Sequence, residues 1–195
     1  ARLYGRPIHR SGLFYSPMWR REPPLWVPAS DLPRDVMRVV MVDPAAKNFA
    51  AALWAAFDTQ GRMFLYREYK ERDRTVSQHV EAILTENRGD PIRLWLGDPF
   101  MLRQTVQQAV LKDEHMKVLQ VWRDAGLSRL SIADVDYDKS LQESREYLTA
   151  AFDPTHPHPG VVIFNHLDKL ANEFDHYVID SIAQGIHRGE ARDRP

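Results

Sequence analysis

Between residues 36 and 87 the chain changes its hydrophobic period, and that change restricts the folds open to it more than any other feature. Three runs come first, VMRVVMVDP (36–44), AAALWAAFD (50–58) and RMFLYREYK (62–70). Each is short, largely apolar and closed by a turn or polar residue, as strands are. Only Thr59-Gln60-Gly61 separates the second from the third, which suits a hairpin. Three consecutive strands with short links predict an antiparallel meander. From Thr75 to Asn87 the apolar residues Val76, Val80, Ile83 and Leu84 fall instead at helical spacing, with Thr75 as the cap and Gly89 just past the end.

The remainder alternates. A short strand over Ile92 to Leu96 ends at Gly97-Asp98-Pro99, and a helix is expected from about Arg103 to Asp124 with a break near His115. Leu130 to Val135 reads as a strand and Ser140 to Phe152 as a helix. Pro154 to Gly160 is a loop, Val161 to Phe164 a last strand, and His166 to about Ile182 a last helix with Leu167, Leu170, Ala171, Phe174, Tyr177 and Val178 inward. The order β-β-β-α-β-α-β-α-β-α predicts an α/β domain with a mixed sheet, antiparallel on one side and parallel on the other, covered by helices on both faces. Ribonuclease H-like domains share this layout. Residues 1–35, with Pro7, Pro17, Pro23, Pro24, Pro28 and Pro33 among aromatics and arginines, cannot form a long helix or a central strand and read as an extended arm. Residues 36–195 then form the domain proper.

Two of the apolar runs stop in the same way, VVMVDP at Asp43 and LWLGDP at Asp98. In a mixed sheet the strands that carry them can be central neighbours, which brings both carboxylates to one sheet edge. Paired carboxylates repel unless a cation lies between them. Oxygen donors select Mg²⁺ or Mn²⁺, and a pair of such ions suits phosphodiester hydrolysis. Asp-Pro after a strand is also a common turn opener, so the pairing of the two acids, not either alone, carries this reading.

Composition narrows the alternatives. With 195 residues, 44% hydrophobic and 27% charged, the chain can bury a core of its own. No apolar stretch approaches the roughly 20 residues a membrane span needs, so a soluble domain is expected. A net charge of −1 gives no global attraction to nucleic acid, and DNA contact must come from a local patch. The absence of cysteine removes thiolate metal sites. His156-Pro157-His158 lacks zinc spacing. Asp134, Asp136 and Asp138 lack the glycine and closing glutamate of a calcium loop and read as a strand end and helix cap. No nucleophilic serine motif and no phosphate-binding glycine loop is present. The chain opens Ala-Arg-Leu-Tyr-Gly without a methionine and stops at Arg-Asp-Arg-Pro, and is expected to be a piece of a longer protein.

Four stretches together resemble the nuclease domain of the large terminase subunit of tailed bacteriophages. They are RLYGRPIHRSGLFY (2–15), the run from VVMVDPAAKN to SQHVEAI (39–83), LWLGDP (94–99) and VVIFNHLDKLANEFDHYVID (161–180). The resemblance implies a metal-dependent endonuclease that cuts double-stranded DNA with little sequence preference during genome packaging. It implies Asp43 bridging two Mg²⁺ or Mn²⁺ ions and Asp98 holding one of them. It further implies an ATPase domain in the same polypeptide on the side of the arm, a portal and a small terminase subunit as partners, and the host cytoplasm as the place of work. The family's third acid belongs to an Asp-His-x-x-Asp-like motif expected beyond Pro195; within the chain Asp175, and beside it Glu173, are the substitutes. Lys47, Arg103 and Lys139 are the candidate DNA contacts. Other ribonuclease H-like nucleases, of the resolvase or transposase type, and a catalytically silent DNA-binding domain of this fold are the alternatives.

Overall fold

The computed structural model describes residues 15, 18–44, 49–102, 105–107, 115–134 and 136–177. Strands β1 (Trp26–Val27), β2 (Met37–Asp43), β3 (Phe49–Phe57) and β4 (Met63–Arg72) come first, followed by helix α1 (Val76–Asn87). Next come β5 (Leu94–Gly97), a 3₁₀ turn (Pro99–Leu102), β6 (Thr105–Gln107), β7 (His115–Lys117), α2 (Val118–Asp124) and β8 (Leu130–Ile132). Helix α3 (Tyr137–Ala150), β9 (Val161–Phe164) and α4 (Asp168–His176) complete the described elements. Seven strands form one sheet in the order β1-β9-β4-β3-β2-β5-β8.

The expected meander is present. β3 lies antiparallel between β2 and β4, and Asp58 closes the hairpin by accepting hydrogen bonds from the amides of Gln60 and Arg62, both at 2.9 Å. The parallel strands lie on both sides of it, β5 and β8 beyond β2, β9 and β1 beyond β4. The expectation of one antiparallel and one parallel side is corrected accordingly. The arm contributes the seventh strand: β1 pairs with β9 at the sheet edge, where proline-rich chain is tolerated, and Leu25 beside it is fully buried.

A second correction concerns residues 103 to 124. The sequence pattern predicts a helix there, but β6 and β7 pair antiparallel as a separate two-stranded sheet, and among the described residues of the stretch only Val118–Asp124 is helical. His115, where that helix is expected to break, begins β7. Thr105-Val106, two β-branched residues, suit the strand that the backbone adopts. Helix α1 begins where its cap signal predicts, with a capping box in which Thr75 accepts from the Gln78 amide and the Gln78 side chain bonds back to the Thr75 amide. Its C-terminal cap is Arg88 at φ 52°, one residue before Gly89. Leu84, expected on the inner face, is exposed, whereas His79 and Asn87 are buried. The last helix begins at Asp168 and ends at His176 rather than near Ile182; Val178 and the residues after it lie outside the described residues.

Two hydrophobic layers sandwich the sheet. On one face Val40, Val42, Trp54 and Tyr69 pack against Val80 and Ile83 of α1 and Trp122 of α2. On the other, Ala55, Leu65 and Ile163 meet Leu148 of α3, Leu167 and Ala171 of α4, and Trp19 and Leu25 of the arm. A bulge between Trp54 and Ala55 leaves Tyr66 as the extra residue of β4, so Tyr66 and Arg67 both turn toward the α1 face, with the Arg67 guanidinium 5.7 Å from the Trp54 ring centre.

His79 is buried at the α1–sheet junction, its Nδ1 2.7 Å from Tyr69 Oη and its ring stacked on Trp122. Burial, and after it the charge of Arg74, lowers its pKa from the ordinary 6.5. The folded chain therefore keeps His79 neutral at pH values where the unfolded chain already binds a proton. Its contribution to stability is complete above the unfolded pKa and is lost as pH falls from there through the folded pKa. In urea melts a His79→Gln variant is expected to lose less stability than the parent between about pH 7.5 and 5.5. Equal losses would assign the pH dependence to other groups.

Candidate active site

The site is set by one register. β2 and β5 run parallel with Val42 opposite Gly97, and the Asp98 amide donates to the Val42 carbonyl at 3.1 Å. Asp43 and Asp98 therefore stand at the same end of adjacent central strands. Along β2 the side chains alternate: Val40 and Val42 enter the core under α1, while Met41 and Asp43 are exposed on the opposite face. Gly97 lets the chain pass closely, because a β-carbon there would stand 2.4 Å from Met101 Sδ.

Both acids line a cleft of about 360 Å³. Its floor is Met41, Leu53 and Leu96, and α4 forms one wall with Lys169, Leu170 and Glu173. What fixes α4 there is Glu68 of β4. Its carboxylate accepts hydrogen bonds from the Lys169 and Leu170 amides at 2.9 and 2.7 Å, supplying the cap that Leu167, at the N-cap position, does not make. The Lys169 ammonium donates to the Lys70 carbonyl at 2.8 Å and to Glu71 at 3.2 Å. Lys70 pairs with Glu173, and its ammonium lies 4.7 Å from the centre of the exposed Phe49 ring. Strand alternation holds the signal for Glu68 and Lys70: opposite Leu53 and Ala51, they share the face of Met41 and Asp43.

Of the other sequence candidates that lie among the described residues, not all reach the cleft. Asp175 accepts from Trp19 Nε1 at 2.8 Å and pairs with Arg21, so it ties α4 to the arm and does not line the cleft. Glu173 does line it. Lys139 is exposed near the start of α3, where its amide bonds to Asp136 at 3.2 Å and its ammonium lies 3.7 Å from Glu143. Asp136 is the helix cap expected of it. Lys47 and Arg103 lie outside the described residues. His156 Nε2 lies 3.2 Å from the Glu146 carboxylate.

The donors in the cleft are carboxylates, with no imidazole among its lining residues and no cysteine in the chain, a set suited to hard divalent cations bound partly through water. Among the described residues no group of three or more histidine, aspartate or glutamate side chains could hold a metal ion. Nor is any described helix long and apolar enough to cross a membrane.

No protein-family model and no curated protein sequence matches the chain. Solved structures do. The large terminase of a thermophilic bacteriophage superposes with a TM-score of 0.65 at 13% identity, over 87% of this chain and 38% of the other, so the chain spans well under half of that protein. The terminase of the same phage in complex with ATP-gamma-S matches with the same TM-score. The nuclease domain of the large terminase of bacteriophage SPP1 with bound manganese gives 0.52 at 15% identity, over 80% of this chain and 78% of that one. The large terminase nuclease of thermophilic phage G20c with bound magnesium gives 0.53 at 12%, over 95% and 90%. This chain has the ribonuclease H-like fold of phage large-terminase nuclease domains.

Proposed function

We propose that the chain is the metal-dependent endonuclease domain of a viral large terminase, hydrolysing double-stranded DNA with little sequence preference during genome packaging. The observation that carries this reading is the register of β2 and β5, which sets Asp43 and Asp98 at one end of adjacent parallel strands in a cleft with an apolar floor. Asp43 and Asp98 would hold the metal, and Mg²⁺ or Mn²⁺ bound there would supply an activated water and stabilise charge on the leaving oxygen. The chain's own part is positional. Glu68 fixes the start of α4, the apolar floor limits water, and the Lys70 ammonium beside Phe49 offers a phosphate contact at the rim. Lys139, Lys47 and Arg103 are the further proposed DNA contacts. The larger protein supplies an ATPase domain in the same polypeptide, and it acts with a portal and a small terminase subunit in the host cytoplasm.

A plasmid-nicking assay tests the reading. Nicking is expected with Mn²⁺ or Mg²⁺ and not with a chelator in excess. DNA binding should be weak and salt-sensitive: four phosphate contacts correspond to a loss of about 150-fold in affinity between roughly 50 and 200 mM salt. Tight binding that ignores salt would sink the reading. A catalytically silent DNA-binding domain is the second reading, favoured by the absence of a three-acid cluster among the described residues. A chain extended past Pro195, where the third acid is expected, separates the two. Strong metal-dependent nicking by the longer chain supports the nuclease; none from either supports the silent domain.

A further inference from the structure

Helix α4 is nine residues long, fewer than the roughly 12–15 that an isolated helix needs in water, so its place over the cleft depends on what it touches. Each end is held by a residue far away in sequence. At the first turn the two Glu68 oxygens accept from the Lys169 and Leu170 amides, one each, so this carboxylate is directed at the helix. At the last turn the arm takes over. Trp19 is buried against Phe174, the rings stacked with centres 4.7 Å apart, and its indole N–H donates to Asp175 at 2.8 Å. Tyr15 meets the same Phe174 ring edge-on at 4.9 Å.

Between these two ties lie the residues that wall the cleft, Lys169, Leu170 and Glu173. None of the described arm residues lines it. A helix this short, marginal by itself, opens and closes as one unit, so a tie lost at the last turn is felt at the first. Arm and cleft are thereby linked along about 13 Å of helix, nine residues rising about 1.5 Å each.

We propose that Trp19 and Glu68 are positioning residues of the candidate active site, clamping the two ends of α4 so that its wall residues stay over the acid pair. The arm thus sets the geometry of a cleft it does not line. The consequence for cleavage rests on the nuclease reading, whereas the placement of α4 does not.

Amide hydrogen exchange beside plasmid nicking, on the whole chain, decides it. In Trp19→Ala the Lys169 and Leu170 amides, at the opposite end of α4 from the lost contact, are expected to exchange at least about tenfold faster, by the same factor as Phe174, while Trp54 in β3 stays protected. Trp19→Phe keeps a ring against Phe174 but no N–H donor, and should restore most of the protection. Glu68→Ala gives the same pattern from the other end, and Glu146→Gln on α3 changes nothing. If Trp19→Ala fails to fold, Trp19→Phe carries the readout with a smaller factor of about five, the scale of one net hydrogen bond. In nicking, Trp19→Ala and Glu68→Ala should lower the rate at saturating Mn²⁺ at least about tenfold and leave the Mn²⁺ midpoint unchanged, because Asp43 and Asp98 remain on their own strands. Faster exchange confined to the end of α4 next to the substitution overturns the proposal. So does lost protection in β3, which would make Trp19 a support of the whole fold, or a raised Mn²⁺ midpoint in Glu68→Ala, which would make Glu68 a metal ligand. A parent chain that never nicks removes the nuclease reading, and the exchange pattern still decides whether the two residues place α4.

Discussion

Asp43→Asn is expected to lower metal-dependent DNA cleavage by at least about a hundredfold, the scale on which a group that stabilises charge in a reacting complex acts. The fold should survive. Asp43 is exposed at the end of β2, outside both hydrophobic layers, and Asn keeps its size and its capacity to accept a hydrogen bond. Removing one of two neighbouring carboxylates also relieves repulsion when no cation is present, so the melting temperature in chelator should stay level or rise slightly. Plasmid nicking across a Mn²⁺ series, run beside a thermal melt, measures both. Parent-like cleavage by the variant would remove Asp43 from the site. Lost cleavage with a collapsed melt would mean that the residue serves the fold.

The largest effect on stability is expected from Trp54→Ala. Trp54 is fully buried at the centre of β3, its Nε1 donates to Asn87 Oδ1 at 3.0 Å, and the Arg67 guanidinium lies over its ring. Asn87, the last residue of α1, passes the link on through its Nδ2 to the Asp90 carbonyl at 3.0 Å. Truncation removes the indole from the core, opens a cavity and leaves a buried amide oxygen without its donor. Together these cost about 3–5 kcal/mol. Trp54→Phe keeps most of the volume and loses only the hydrogen bond, so it should cost about 1–3 kcal/mol. Denaturant melts of the two variants separate packing from hydrogen bonding. Equal losses would show that the Asn87 contact, not the filled volume, holds α1 to the sheet.

The meander, α1, β5, β9 and the inner face of α4 are legible in the sequence because in each a single period, two or 3.6, is imposed by a neighbouring hydrophobic layer. The pairing of Asp43 with Asp98 is legible for the same reason, since apolar runs that end alike and pack centrally end at one edge. Residues 105–107 and 115–117 are not legible. Among the described residues their two strands pair only with each other, so no layer of the main core marks their period, and a local pattern there suits helix or strand equally. Leu84 and His79 exchange their expected places because a histidine with a phenol partner and an indole to stack on can be buried, and periodicity counts only apolar residues. Lys70 and Glu68 escape a reading of the sequence because charged residues on a strand look like a solvated face until α4, distant in sequence, is laid over them.

The pairing of β1 with β9 also bears on when the domain can form. Trp26 lies opposite Ile163, a separation of 163 − 26 = 137 residues. A ribosome working at about 5–20 residues per second takes roughly 7–27 s to cover that distance. Throughout that interval Leu25 and Trp26 have no strand beside them, and Trp19 has neither Phe174 to stack on nor Asp175 to receive its indole N–H. The strand of the arm thus waits for a partner made much later along the chain. Until β9 has emerged the nascent chain carries an uncovered aromatic segment, and this sheet edge stays open.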